Sequence, residues 1–127
     1  MRFIPNDNQF VPASHEDPSR PGVLKRVLAM KDELLDGRVQ MINWARLPVG
    51  SSFRLHYHED MEETFILTRG EAMITVNGQS IQMHSGDAVI VAPLEQHEMK
   101  NCGAEDVEYI VVGISLGKNG KTVVVET

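Results

Sequence analysis

From residue 23 onward the chain alternates apolar and polar residues with a period of two, the pattern of strands that cover one face. Residues 23–30 and 39–47 read as strands flanking residues 31–38, a loop ending at Asp36 and Gly37 or a single helical turn. Over residues 53–58, Phe53, Leu55 and Tyr57 alternate with Arg54, His56 and His58. Further on, Phe65 and Leu67 alternate with Thr64, Ile66 and Thr68, then Ala72, Ile74 and Val76 with Glu71, Met73 and Thr75. The pattern resumes at Ile81 and Met83 after Asn77 and Gly78, a hairpin signal. Residues 87–92 and 97–101 continue the series, and 107–114 is apolar on both faces, as in a doubly covered strand. Asn119 and Gly120 then turn the chain into residues 122–126, expected to pair back on the neighbouring strand. The expectation is an all-β domain of about nine or ten strands, a closed barrel or sandwich, over residues 23–127. Residues 1–22 hold Pro5, Pro12, Pro18 and Pro21, which suits an extended arm.

Length and charge narrow the partners. A chain of 127 residues buries a core as one domain without staples. Its net charge of -6, without a basic run, argues against nucleic acid and anionic membranes. Residues 1–10 lack the charged and apolar blocks of a secretory leader, and no apolar run approaches the roughly eighteen residues of a membrane span. A cytoplasmic location is the expectation. Cys102 is the single cysteine, which excludes an intrachain disulfide, and no activating partner for it is evident.

The candidate chemistry lies at His56, His58, Glu63 and His97. Residues at i and i+2 of a strand share a face, so His56 and His58 can aim two imidazoles into one cavity. Residues 59–62 form a short polar link that can return Glu63 beside them, and His97 arrives from a distant strand. Glu62 competes for the carboxylate role. Glu63 is preferred because it shares parity with Phe65 and Leu67, which leaves Glu62 solvated. Ordinary amphipathic logic gives the opposite orientation, with Phe53, Leu55 and Tyr57 inward and the histidines in water. His84 shares a face with Ser80 and Gln82 and reads as solvated, and His15, in the Pro-rich arm, is assigned no role. Three imidazoles and a carboxylate suit one divalent transition metal, Fe, Mn, Ni, Zn or Cu, more than Mg or Ca.

Spacing connects these residues to a known family. Gly50, five residues, His56-x-His58, four residues, Glu63, six residues and Gly70 match the first motif of the cupins throughout. In the second motif Gly86, His97 and Asn101 fall in register, whereas Ala92 and Leu94 stand where the family has Pro and Gly, and Pro93 comes one place late. The chain therefore resembles a cupin, a small double-stranded β-helix or jelly-roll barrel. The resemblance implies inward histidines and Glu63 as metal ligands. It also implies an enzyme of the dioxygenase, decarboxylase, isomerase or lyase kind acting on a small oxygenated molecule, or else a non-catalytic small-ligand sensor. No general acid or base beyond the ligands is evident to separate the two. With the histidines inward, Phe53, Leu55 and Tyr57 face outward and need cover from the arm or from a second subunit, hence an expected homodimer. Arg54 shares parity with the histidines, and in the cavity its guanidinium would bind an anionic substrate or pair with Glu95; a rim position is the third option. Met99, with the parity of His97, is expected to supply an apolar wall of the substrate pocket.

Overall fold

The computed structural model describes residues 1–117 and 121–126. Among them eleven strands run in chain order: β1 (Val11–Pro12), β2 (Leu24–Met30), β3 (Val39–Leu47), β4 (His56–His58), β5 (Met61–Arg69), β6 (Ala72–Val76), β7 (Gln79–Met83), β8 (Ala88–Val91), β9 (His97–Asn101), β10 (Val107–Ser115) and β11 (Thr122–Val124). They build two antiparallel sheets in a jelly-roll arrangement, a six-stranded one ordered β1-β2-β3-β10-β5-β8 and a five-stranded one ordered β11-β4-β9-β6-β7. Consecutive strands change sheet at β3 to β4 and again at β4 to β5, so the first motif straddles the two layers.

Period-two alternation sets what each strand buries. On β5, Met61, Glu63, Phe65 and Leu67 are buried while Glu62 and Ile66 are exposed, so the parity argument for Glu63 describes the strand as it lies. Leu47, Leu67, Ile74, Met99 and Val107 are fully enclosed between the sheets. Burying side chains of this size contributes on the order of 1.5–3 kcal/mol each. Asn77 and Gly78 both carry positive φ, 47° and 83°, which suits the tight hairpin joining β6 to β7.

Several expectations change. The strand anticipated over 53–58 is regular only at His56–His58. Phe53 is 1% exposed, not outward, because its N–H donates to Met99 O and Ser52 bridges Lys100, which turns the chain before β4 begins. Leu55 and Tyr57 are half-buried. β11 pairs with β4 rather than with β10, placing Thr122 opposite His58 and Val124 opposite His56. The anticipated turn at Asn119 and Gly120 lies outside the described residues. On β10 the inward Val107, Tyr109 and Val111 are buried, but Ile110 and Val112 on the other face are only half-covered. Residues 31–38 form two 3-10 turns, Lys31–Glu33 and Leu35–Gly37. Among the described residues no helix is long and apolar enough to cross a membrane.

The framing glycines Gly50, Gly70 and Gly86 have φ of 78°, 83° and 95°, a left-handed backbone. Leu94, where the family pattern has glycine, is held at φ 72° with its N–H on His58 O, 2.8 Å away. A left-handed non-glycine residue costs about 1–2 kcal/mol, and glycine gives back about 0.5–1 kcal/mol of that in unfolded-state entropy. The Leu94 side chain is 63% exposed, so little burial is at stake. Leu94→Gly is therefore expected to stabilise the fold by about 0.5–1 kcal/mol, read from the urea midpoint; a lower midpoint would show that the leucine side chain carries the loop.

Candidate metal centre

Pairing register brings the ligands together. β4 lies against β9 with His56 directly opposite His97, and His58 follows two positions along on the same face. Glu63 reaches them from β5 in the other sheet, after a crossing of only residues 59–60. One donor atom from each of the four residues lies within 4.8 Å of the others, and all four side chains are buried. The spacing suits a metal, since two ligands on opposite sides of an ion stand about 4.2 Å apart at ~2.1 Å per bond.

The far side of each ring is tied down. His56 Nδ1–H donates to Arg54 O at 2.6 Å and His97 Nδ1–H to Glu95 O at 2.9 Å. A carbonyl only accepts, so Nδ1 carries the proton and Nε2 keeps its lone pair. His58 Nδ1 meets Thr122 Oγ1 at 2.9 Å, leaving its Nε2 toward Glu63 Oε1 at 2.7 Å; His97 Nε2 lies 3.0 Å from the same oxygen. Such outer contacts fix ring orientation and ligand basicity at metal sites. Burial, reinforced by the His15 and His97 rings beside it, pushes His56 down to about 3, so it stays neutral and ready to coordinate. Burial opposes the charge on Glu63, yet the hydrogen bond from His58, with the His97 ring beside it, outweighs burial and holds this carboxyl below its ordinary range.

His56, His58 and Glu63 form part of the wall of a cavity of about 220 Å³, with His97 fully buried behind them. That is many times the roughly 10–15 Å³ one water needs, so it accommodates a small organic molecule. Phe53, Phe65 and Tyr109 give it apolar walls. His15, Lys25 and Asn43 line it as well, and none of them was singled out as a site residue from the sequence. His15, assigned no role from its place in the arm, stacks on His56 with ring centroids 4.2 Å apart. Its Nδ1–H donates to Glu16 Oε2 at 2.9 Å, and buried Glu16 also accepts from Gly22 N at 2.7 Å and Arg54 N at 2.8 Å. A proline-broken arm has no periodicity to mark these residues; the adjacent His-Glu pair is the one chemical hint it offers.

Arg54 is exposed and is not part of the cavity wall; its guanidinium lies 3.6 Å from Glu126. Because the strand is irregular before His56, parity does not carry from the histidines to Arg54. Glu95, considered as its partner, instead accepts from Ala92 N at 2.7 Å. Met99 is fully buried in the core and lies outside the cavity lining. Asn101 is structural: its amide donates to Leu47 O and Glu105 O and accepts from Gly103 N. Cys102 and His84 are exposed.

A family model described as a cupin domain matches residues 43–113, more than half of the chain and all four ligands. The chain is a cupin. This cupin is 28% identical over 95 residues to an oxalate-binding protein of Thermotoga maritima, covering 75% of its own length and 78% of the relative. A crystal structure of a predicted oxalate decarboxylase from Thermotoga maritima superposes with TM-score 0.71 and 30% identity, over 74% of this cupin and 81% of that chain. A Klebsiella pneumoniae protein described as having a double-stranded β-helix domain superposes with TM-score 0.76 at 20% identity, over 100% of this cupin and 99% of that chain, and shows the shared fold.

Proposed function

We propose that this cupin is a metal-dependent enzyme acting on a small oxygenated carboxylate, with oxalate as the first ligand to test. The observation that carries the reading is the convergence of His56, His58, Glu63 and His97 into one cluster, three of whose members, His56, His58 and Glu63, line an organic-sized cavity. A divalent transition metal there would polarise a ligand oxygen and keep open positions for it. Phe53, Phe65 and Tyr109 would exclude water around the bound molecule. The oxalate-binding relative supports a carboxylate head.

The relative's description also favours a second reading, binding without turnover. Against it stands His15, a group able to transfer protons in the cavity, oriented by a buried carboxylate. Titration of the metal-loaded protein with oxalate by calorimetry, with product analysis of the same sample, separates the readings. Saturable binding with release of carbon dioxide is expected. Oxalate recovered intact would leave the binding module, and no binding by loaded protein would remove oxalate altogether. His15→Gln is expected to lower turnover by about 10²-fold or more while metal content stays the same; unchanged turnover would take His15 out of the chemistry.

The homodimer belongs to this proposal; of the two surfaces anticipated for it, the Phe53 face drops out and the outer side of the strand carrying Ile114 remains. Phe53 is buried, but Ile66, Ile90 and Ile114 are 36%, 64% and 38% exposed on the six-stranded sheet. Sedimentation at micromolar concentration is expected to give twice the chain mass; a monomer would discard the dimer.

A further inference from the structure

The cavity has a second polar end, away from the metal ligands, on β2 and β3. Lys25 is half-buried in its wall, and among the described residues its ammonium has no hydrogen bond or ion pair. Burial lowers its affinity for the proton, as expected of a cation without a counter-charge. Asn43, 7% exposed, lines the same cavity, and its side-chain oxygen is buried without a partner. Native proteins rarely leave a buried amide oxygen such as that of Asn43 unsatisfied, and a half-buried ammonium beside it without a counter-charge is complementary to an anion. The two are neighbours. Lys25 pairs with Ala45 and Val27 with Asn43, which makes Lys25 and Asn43 a diagonal pair on one face. Diagonal positions stand about 7–8 Å apart, within reach of one group held between two side chains. An Asn amide accepts from a hydroxyl or, turned over, donates to a carboxylate.

β2 lies three strands from β5, which carries Glu63, in the order β2-β3-β10-β5. At about 4.8 Å per strand the two backbones are about 14 Å apart along the sheet, and the side chains close only part of that gap. A ligand that touches both ends must be longer than oxalate.

We propose that Lys25 and Asn43 form an anion-recognising end of the cavity, which takes the tail carboxylate of an elongated acid whose oxygenated head lies at the four ligands. The proposal rests on the reading of this cavity as a metal-dependent carboxylate site and names the substrate class within it: small acids with two anionic ends separated by a short carbon chain.

The probes are 2-oxoglutarate, the equally long monoacid 2-oxopentanoate, and oxalate, each titrated by calorimetry into zinc-loaded protein. Wild type is expected to bind 2-oxoglutarate at least about tenfold tighter than 2-oxopentanoate, because a charge-assisted pair to the tail is present only in the diacid. Lys25→Met should erase that difference and leave oxalate affinity and zinc content unchanged. Removing an unpaired cation is not expected to unfold the chain, and thermal melts of the variant check this. Asn43→Leu should weaken 2-oxoglutarate more than 2-oxopentanoate. Equal affinity of wild type for the two oxo acids, or an equal loss for oxalate and 2-oxoglutarate in Lys25→Met, overturns the proposal while the carboxylate reading stands. Failure of every probe to bind loaded wild type overturns both.

Discussion

Replacing His56 and His58 together by alanine is expected to reduce bound metal from one ion per chain to none after dialysis, measured by elemental analysis. Two of four donors go, and the remaining pair, Glu63 Oε1 and His97 Nε2, 3.0 Å apart, is too few to hold an ion tightly. Metal bound to the folded chain alone stabilises it by mass action, about 4 kcal/mol at a thousandfold excess over Kd. Loading should therefore raise the wild-type melting temperature on the order of 10 °C and leave that of the double variant unmoved. Because His58 also hydrogen-bonds buried Glu63, the double variant carries a folding cost of its own. Glu63→Gln, which keeps the shape and removes the charge, controls for this and should weaken the metal without emptying the core. Coordination needs unprotonated imidazole, so affinity should fall as the medium is acidified. Equal, tight stoichiometry in wild type and double variant would end the metal assignment.

Glu16→Ala is expected to destabilise the fold by about 2–4 kcal/mol, since it strands two backbone donors and the His15 ring that now meet one buried carboxylate. Burial raises the Glu16 carboxyl, but the bonds from His15, Arg54 and Gly22 prevail and set it below the ordinary 4.5. With the folded value lowered, its stabilisation is complete above 4.5 and is lost as pH falls through the lower folded value. The difference in stability between wild type and Glu16→Ala, from denaturant melts at several pH values, should shrink toward the acid side. A pH-independent difference would mean that packing, not charge, holds the arm. Gly22 offers an independent check on the same contact, since a Cβ there would sit 1.8 Å from Ser52 O. Gly22→Ala should thus disturb the clasp although Glu16 is intact.

What the sequence revealed and what it concealed divide along local and non-local physics. Alternation located β3 and β9 at their actual bounds and β6 to within one residue, because each is a short run in regular pairing with its neighbours over most of its length. Motif spacing singled out the ligand set because Gly50, Gly70 and Gly86 take a backbone that glycine adopts readily. Parity misled at Phe53 and Arg54, where a bridge to Lys100 bends the chain ahead of the strand. His15, Lys25 and Asn43 stayed hidden for another reason. Their roles come from which strands the fold sets side by side, and nothing within a few residues of them carries that information. The partner of β11 was missed in the same way, since a turn signal indicates reversal but not destination.

The tether between Thr122 and His58 has a bearing on biosynthesis. These residues are 64 positions apart, and Glu16 is 38 positions from Arg54. Synthesis reaches His58 long before Thr122, so until the β11 segment docks the His58 ring lacks the hydroxyl that orients it. Contacts this distant along the chain form late and slowly. Should the cluster bind a metal as proposed, an ion met in that interval would face a ring free to turn, and discrimination would sharpen when the β11 segment docks. The ion found in purified protein would then reflect what the expressing cell supplies at the moment of folding as well as the equilibrium preference of the finished site.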